Sequence, residues 1–167
     1  ARLTIDKYLK DLSLDSKLTL DNPSESDGSC MFSSVEISLT RINSIEKCDI
    51  VSNDELRKRT CLGAFKYFTG DLDRRSALCA TAKIDDTKEN GESLAAMWRQ
   101  SMLQRSYWGD ENSLNIMSEF LGRRIIVFFT YVNSYGPQII GTESTKADIF
   151  LSFTGCHYEA LRPINPT

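Results

Sequence analysis

The stretch Arg124-Ile125-Ile126-Val127-Phe128-Phe129-Thr130-Tyr131 decides the architecture. From Ile125 on, its residues are β-branched or aromatic and do not alternate with charged ones, which predicts a strand covered on both faces. Upstream of it, apolar residues recur at steps of three and four; downstream they come in short runs between turn residues. The chain therefore reads as α+β, with helices in the first two-thirds flanking a small mixed or antiparallel β-sheet built from the last third.

Working outward toward the end of the chain, "NSYGPQ" (133–138) is a turn, Ile139-Ile140 a short second strand, Ala147 to Phe153 a third, and His157 to Leu161 the last, stopped by Pro163. Toward the start, Leu114, Met117, Phe120 and Leu121 fit one helix face. Asp110 or Asn112 caps that helix, and Gly122 suits the left-handed residue that closes it. Another helix opens at Gly91-Glu92-Ser93, with Leu94, Met97, Trp98 and Met102 facing inward. Ser52-Asn53-Asp54-Glu55 has the form of a capping box, opening a helix through Leu56, Thr60, Ala64 and Tyr67 to a stop near Gly70. Between them, Asp71 to Asn90 is polar and takes no assignment. Phe32, Val35, Leu39 and Ile42 define a helix from Cys30 to Ile42, preceded by the loop Asp21 to Ser29 and by a short amphipathic helix on Ile5, Tyr8, Leu9 and Leu12.

At 167 residues the chain suits one domain, 1–167. The net charge is −3, and the basic groups Arg57-Lys58-Arg59, Arg74-Arg75 and Arg123-Arg124 are separated by acids. They read as solvated helix faces, and this pattern argues against a nucleic-acid partner. No apolar run is long enough to cross a membrane, and nothing resembles a secretion signal. The five cysteines lack zinc-binding spacing and are expected as free thiols in a reducing, cytoplasmic setting, with no metal and no cofactor.

Two places carry chemistry. In "DGSCMF" (27–32), Cys30 stands in the first turn of a helix, where free N–H groups and the positive end of the macrodipole favour a thiolate. Gly28 lets the preceding loop turn its amides toward a bound group, so that Gly28, Ser29 and Cys30 form an oxyanion hole braced by Asp27. In "GCHYEAL" (155–161) the sole histidine, His157, lies two strand positions from Glu159, so the two project to one side while Tyr158 and Ala160 face the other. A carboxylate beside an imidazole fixes its tautomer and supports its charged form. The plainer alternatives are a turn followed by a buried cysteine, and a surface histidine beside a surface glutamate.

"DGSCMF" ahead of a helix, "YWGDENSLNIMSEFLGRRIIVFF" and the late "HYEALRP", in that order, resemble the OTU (ovarian tumour) cysteine proteases, whose motifs are D-G-N-C-L/F-F, W-G-x-x-x-x-L and H-Y-[DN] or H-F-D. The resemblance spans roughly Asp21 to Pro163. It implies a papain-like OTU fold and a thiol deubiquitinase that cuts after the C-terminal glycine of ubiquitin or a related modifier. By position, Cys30 is the nucleophile, His157 the general base and then acid, and Asp27 the organiser of the oxyanion loop. Trp108-Gly109 takes the W-G position, shaping the groove for the substrate tail or supporting the core. Ser29 replaces the usual Asn, and Glu159 the usual Asp or Asn. Either Glu159 orients His157, or an upstream Asp21 or Asn22 does, or orientation is partial. Two rival functions follow: an OTU-like module that binds ubiquitin without turnover, and a thiol hydrolase or acyltransferase for another substrate. The helices between Ser52 and Gln104 are where a first contact with ubiquitin is expected, with "AFKYF" (64–68) either an exposed patch or core. Such compact domains occur in viral polyproteins, bacterial effectors and eukaryotic enzymes, so the chain reads as a possible piece of a larger polypeptide acting in a cell's or host's cytoplasm.

Overall fold

The computed structural model describes residues 18–24, 28–104, 109–130 and 137–164. The expected N-terminal helix on Ile5 to Leu12 lies outside them. The elements run β1 (Leu18–Leu20), α1 (Cys30–Asn43), α2 (Asn53–Gly70), α3 (Leu72–Thr81), α4 (Gly91–Met102), α5 (Glu111–Leu121), β2 (Ile125–Phe129), β3 (Gln138–Ile140), β4 (Ile149–Phe153) and β5 (Tyr158–Pro163). The sheet order is β1-β5-β4-β2-β3, with β2 and β4 parallel and every other pair antiparallel.

β2 is covered on both faces, as its composition requires. Ile125 and Val127 join the main core with Phe32, Val35, Leu39 and Ile42 of α1, whereas Ile126 and Phe128 face a second cluster with Leu18 and Leu161. Period-two alternation thus serves two apolar layers rather than one layer and solvent.

α1 is the helix buried deepest in the fold: Cys30 through Val35 are all buried, along with Ser38, Leu39 and Ile42. Two of its buried serines are satisfied within the helix, Ser34 Oγ donating to the Cys30 carbonyl (2.7 Å) and Ser38 Oγ to the Ser34 carbonyl (2.9 Å).

The helix ends follow the local chemistry. Ser52 Oγ accepts from the Glu55 N–H (3.2 Å), but Glu55 pairs with Arg59 (3.3 Å) rather than closing the capping box. Asp110 caps α5 by accepting from the Ser113 N–H (3.1 Å), and Gly122 ends it at φ 63°, a left-handed residue. Several expectations need correction. Residues 72–81, left unassigned, form α3, capped by Asp71 and burying only Leu78 and Cys79. Met97 is 42 % exposed because α4 buries Leu94, Trp98 and Met102 at strict i, i+4 spacing. Phe68, not Tyr67, is the aromatic that α2 buries. The solvated-face reading fails at Arg57 and Arg123, which are 1 % and 5 % exposed.

Candidate active site

β1 runs antiparallel to β5, and the Asp21 N–H continues that ladder to the Ala160 carbonyl (2.9 Å). Residues 21–24 therefore pass along the first residues of β5, and α1 packs beside that strand. Ser34 Oγ, in the second turn of α1, reaches both the Cys30 carbonyl and the Tyr158 carbonyl (3.1 Å), linking the cysteine's helix to the histidine's strand.

His157 immediately precedes β5, and its Nε2 lies 2.6 Å from Glu159 Oε1. Both side chains keep about a quarter of their surface, at 25 % and 22 %. The extra methylene of glutamate does not prevent contact: Glu159 meets the imidazole directly. Its other oxygen, Oε2, accepts from the Ser24 N–H (3.0 Å), and Ser24 Oγ stands 3.1 Å from Nε2. The upstream alternatives are otherwise engaged or turned outward. Asp21 Oδ2 lies 3.5 Å from Arg41 Nε, its Oδ1 accepts from the Asn22 N–H, and Asn22 is exposed.

Cys30 opens α1 and is 1 % exposed. Among the described helices, α2 to α5 each have an N-cap side chain that accepts a backbone N–H. α1 has none: its N-cap residue Ser29 does not cap the helix with its side chain. Instead Ser29 Oγ accepts from Arg57 Nη2 (3.3 Å), the same nitrogen donates to the Gly28 carbonyl (3.0 Å), and Nη1 donates to the Met102 carbonyl at the end of α4 (2.8 Å). The guanidinium also lies 4.4 Å from the Phe32 ring centroid. Arg57 thus holds the loop ahead of Cys30 by its carbonyl side, against a helix C-terminus whose dipole suits a cation. This residue was missed from the sequence.

The other cysteines differ in environment. All five are free thiols. Burial pushes the Cys61 thiol up to about 11 and raises that of Cys79, which makes both poor nucleophiles. Cys156 is exposed beside His157.

Gly109 packs on the first turn of α1, where a Cβ would come within 2.6 Å of Met31 Sδ and 3.1 Å of Phe32 Cε2. It also borders an open cavity of about 420 Å³ between Gly109, Asp110 and Glu111 on one side and Phe153, Gly155, Cys156 and Tyr158 on the other. Two larger cavities, near 490 and 480 Å³, lie elsewhere, one beside Cys48 and Arg123 and one between α2 and α4. Of the residues singled out from sequence, Gly28, Ser29, Cys30, Gly109, His157 and Glu159 lie in this region, while Asp27 and Trp108 fall outside the described residues. In "AFKYF", Ala64 and Phe68 are core and Phe65 is 48 % exposed.

Comparison with known proteins bears on the fold and the family. No curated protein sequence is similar enough to serve as a relative. Solved structures are similar in fold. One is an OTU from Hazara virus bound to ubiquitin, at 20 % identity and TM-score 0.59, covering 89 % of this chain and 83 % of that one. The viral OTU domain protease of Farallon virus has 15 % identity and TM-score 0.62, with coverages of 89 % and 86 %. An OTU deubiquitinase from Wolbachia pipientis wMel has 16 % identity and TM-score 0.60, with coverages of 87 % and 88 %. The family described as OTU-like cysteine protease matches residues 25–158, a span that runs from the loop before Cys30 to the start of β5. With that match over most of its length, the chain belongs to the OTU-like cysteine protease family.

Proposed function

We propose that this chain is a deubiquitinase, hydrolysing isopeptide or peptide bonds after the C-terminal glycine of ubiquitin or a ubiquitin-like modifier. The observation that carries the reading is the 2.6 Å contact between His157 Nε2 and Glu159 Oε1, at the start of a strand that packs against the helix Cys30 opens. A carboxylate facing Nε2 requires the proton there and leaves Nδ1 as the basic nitrogen.

In the reaction, Nδ1 takes the Cys30 thiol proton and the thiolate attacks the carbonyl carbon of the terminal glycine. Charge gathers on the carbonyl oxygen, and the amides of Gly28 to Cys30, at the positive end of α1, receive it. The imidazolium, supported by Glu159, gives its proton to the departing lysine amine, leaving a thioester. A water that loses a proton to Nδ1 then cleaves the thioester and regenerates the thiol. Arg57 holds the loop, and the cavity beside Gly109 receives the extended tail; Asp27 and Trp108 are assigned the bracing of the loop and the shaping of the groove by motif position alone. The steps use side chains and backbone of this chain, and ubiquitin-bound fold neighbours support ubiquitin conjugates as the partner. The rival reading as a binder without turnover rested on Glu159 failing to reach the imidazole, and the contact speaks against that ground.

The test is incubation with ubiquitin carrying a C-terminal thiol-reactive electrophile, followed by intact mass. One adduct is expected on the native chain and none on Cys30→Ala. An adduct that survives this substitution, or none on the folded native chain, overturns the assignment.

A further inference from the structure

We propose that Ser24 is a positioning residue of this site, seating the Glu159 carboxylate and fixing the imidazole so that a glutamate serves where a shorter acid is usual. Its consequence for rate rests on the thiol-hydrolase reading above; its consequence for the imidazole does not.

Ser24 makes three contacts with the first residues of β5. Its N–H donates to Glu159 Oε2 (3.0 Å), its hydroxyl donates to the Tyr158 carbonyl (2.5 Å), and its oxygen lies 3.1 Å from His157 Nε2. A serine hydroxyl has one proton. With that proton directed to Tyr158, the oxygen facing the ring is an acceptor, and so is Glu159 Oε1. Two acceptors converge on Nε2, which must therefore carry the hydrogen.

Glutamate has one more rotatable bond than aspartate, and a contact through one oxygen leaves the carboxylate free to swing. Here each oxygen has its own donor: Oε1 meets the ring and Oε2 the Ser24 amide. The second anchor removes the freedom that the added methylene brings. Ser24 reaches this place because β1 and residue 21 pair antiparallel with β5, which carries the following residues back along it, so that Ser24 meets a histidine 133 positions away.

The rival account is a tether alone, with Ser24 holding the loop to the Tyr158 carbonyl and nothing more. Kinetics on a ubiquitin-linked fluorophore separate the two. Losing one hydrogen bond to a group that becomes charged predicts about a tenfold lower kcat for Ser24→Ala with KM unchanged. Ser24→Thr, which keeps the hydroxyl, should recover most of it. In a Glu159→Ala background Ser24→Ala should change kcat by less than about twofold, because the two act as one unit.

The activity-independent readout is the imidazole ¹H–¹⁵N correlation spectrum, unambiguous in a chain with one histidine. The native chain should show the Nε2-protonated tautomer; Ser24→Ala, which keeps Glu159 Oε1 but loses the second acceptor, should keep that tautomer and shift and broaden the Nε2–H resonance. An unchanged spectrum and kcat in Ser24→Ala, or an equal loss with and without Glu159, would overturn the proposal. If the native chain does not turn over ubiquitin, the hydrolase reading fails by itself, and the spectrum still decides the role of Ser24.

Discussion

A buried guanidinium must find acceptors for its fork of N–H groups or lose the hydration it gave up. Arg57 finds them in the Gly28 and Met102 carbonyls and Ser29 Oγ, so its removal acts on the oxyanion loop and on the end of α4 together. Arg57→Met keeps much of the volume and deletes the donors; it should cost about 2–4 kcal/mol in urea unfolding and lower turnover of the stable fraction. Arg57→Lys should lie between, because one ammonium on a flexible stem cannot span both carbonyls with the same geometry. A native unfolding midpoint in both variants would mean that the loop is held by other contacts. The residue was hidden behind its charge: read with Lys58 and Arg59 it looks like a solvated face. Yet Arg57, Cys61, Ala64 and Phe68 follow steps of four, three and four along one side of α2, and all four are buried. A polar residue on the buried side of a helix was the available signal. Glu159 posed the opposite difficulty: its identity was plain, but whether a longer acid reaches the ring depends on Ser24, which has no sequence periodicity to reveal it.

At the scale of elements, the helix ends were the most readable parts, because capping is decided by three or four neighbouring residues. Ser52, Asp110 and Gly122 behave as their types demand. α3 was not readable, since it buries only Leu78 and Cys79 and leaves no apolar stripe to count. What locks elements together was less visible still. Glu46, in the turn after α1, accepts from Arg123 Nη1 (2.7 Å) and from the Ala147 N–H (3.3 Å), while Arg123 also donates to the Ala147 carbonyl (2.9 Å). The hydrogen bond from Arg123 holds the Glu46 carboxyl below its ordinary value of 4.5, against a smaller opposing effect of desolvation. A depressed carboxyl means that the unfolded chain binds more protons in acid. The stabilisation is therefore complete above the ordinary value and is lost as pH falls through the lower folded one. Glu46 is 38 % exposed, and solvent screening limits the pair to less than about 1 kcal/mol. Glu46→Gln should lower the thermal midpoint slightly at pH 7 and flatten its decline between about pH 5 and pH 3. Parallel native and variant curves over that range would show that the pair does not couple folding to protons.

For the whole molecule, the site exists only where the two ends of the described chain meet. β1 illustrates why this was not legible: three residues, Leu18-Thr19-Leu20, carry too short a pattern to announce a strand, and their partner β5 lies at the far end. Order of motifs brought Cys30 and His157 into one reading; packing of α1 against β5 brings their elements together. Tyr158 packs on the main core, and Ala160, two positions on, shares that side of the strand and is fully buried, so a small residue sits where the helix approaches. Leu161 faces the other way, into the cluster with Leu18, Ile126 and Phe128. Two substitutions on one strand should therefore separate stability from alignment. Leu161→Ala opens a cavity remote from α1 and should cost about 2–5 kcal/mol while leaving kcat at temperatures well below unfolding within about twofold. Ala160→Leu overfills the α1 side and should cost less, about 1–3 kcal/mol, yet lower kcat severalfold by moving the Cys30 helix away from His157. Urea unfolding paired with turnover at low temperature reads both quantities. The opposite ranking of kcat losses would show that the α1–β5 spacing does not set the alignment of thiol and imidazole, and that the loop carrying Ser24 sets it instead.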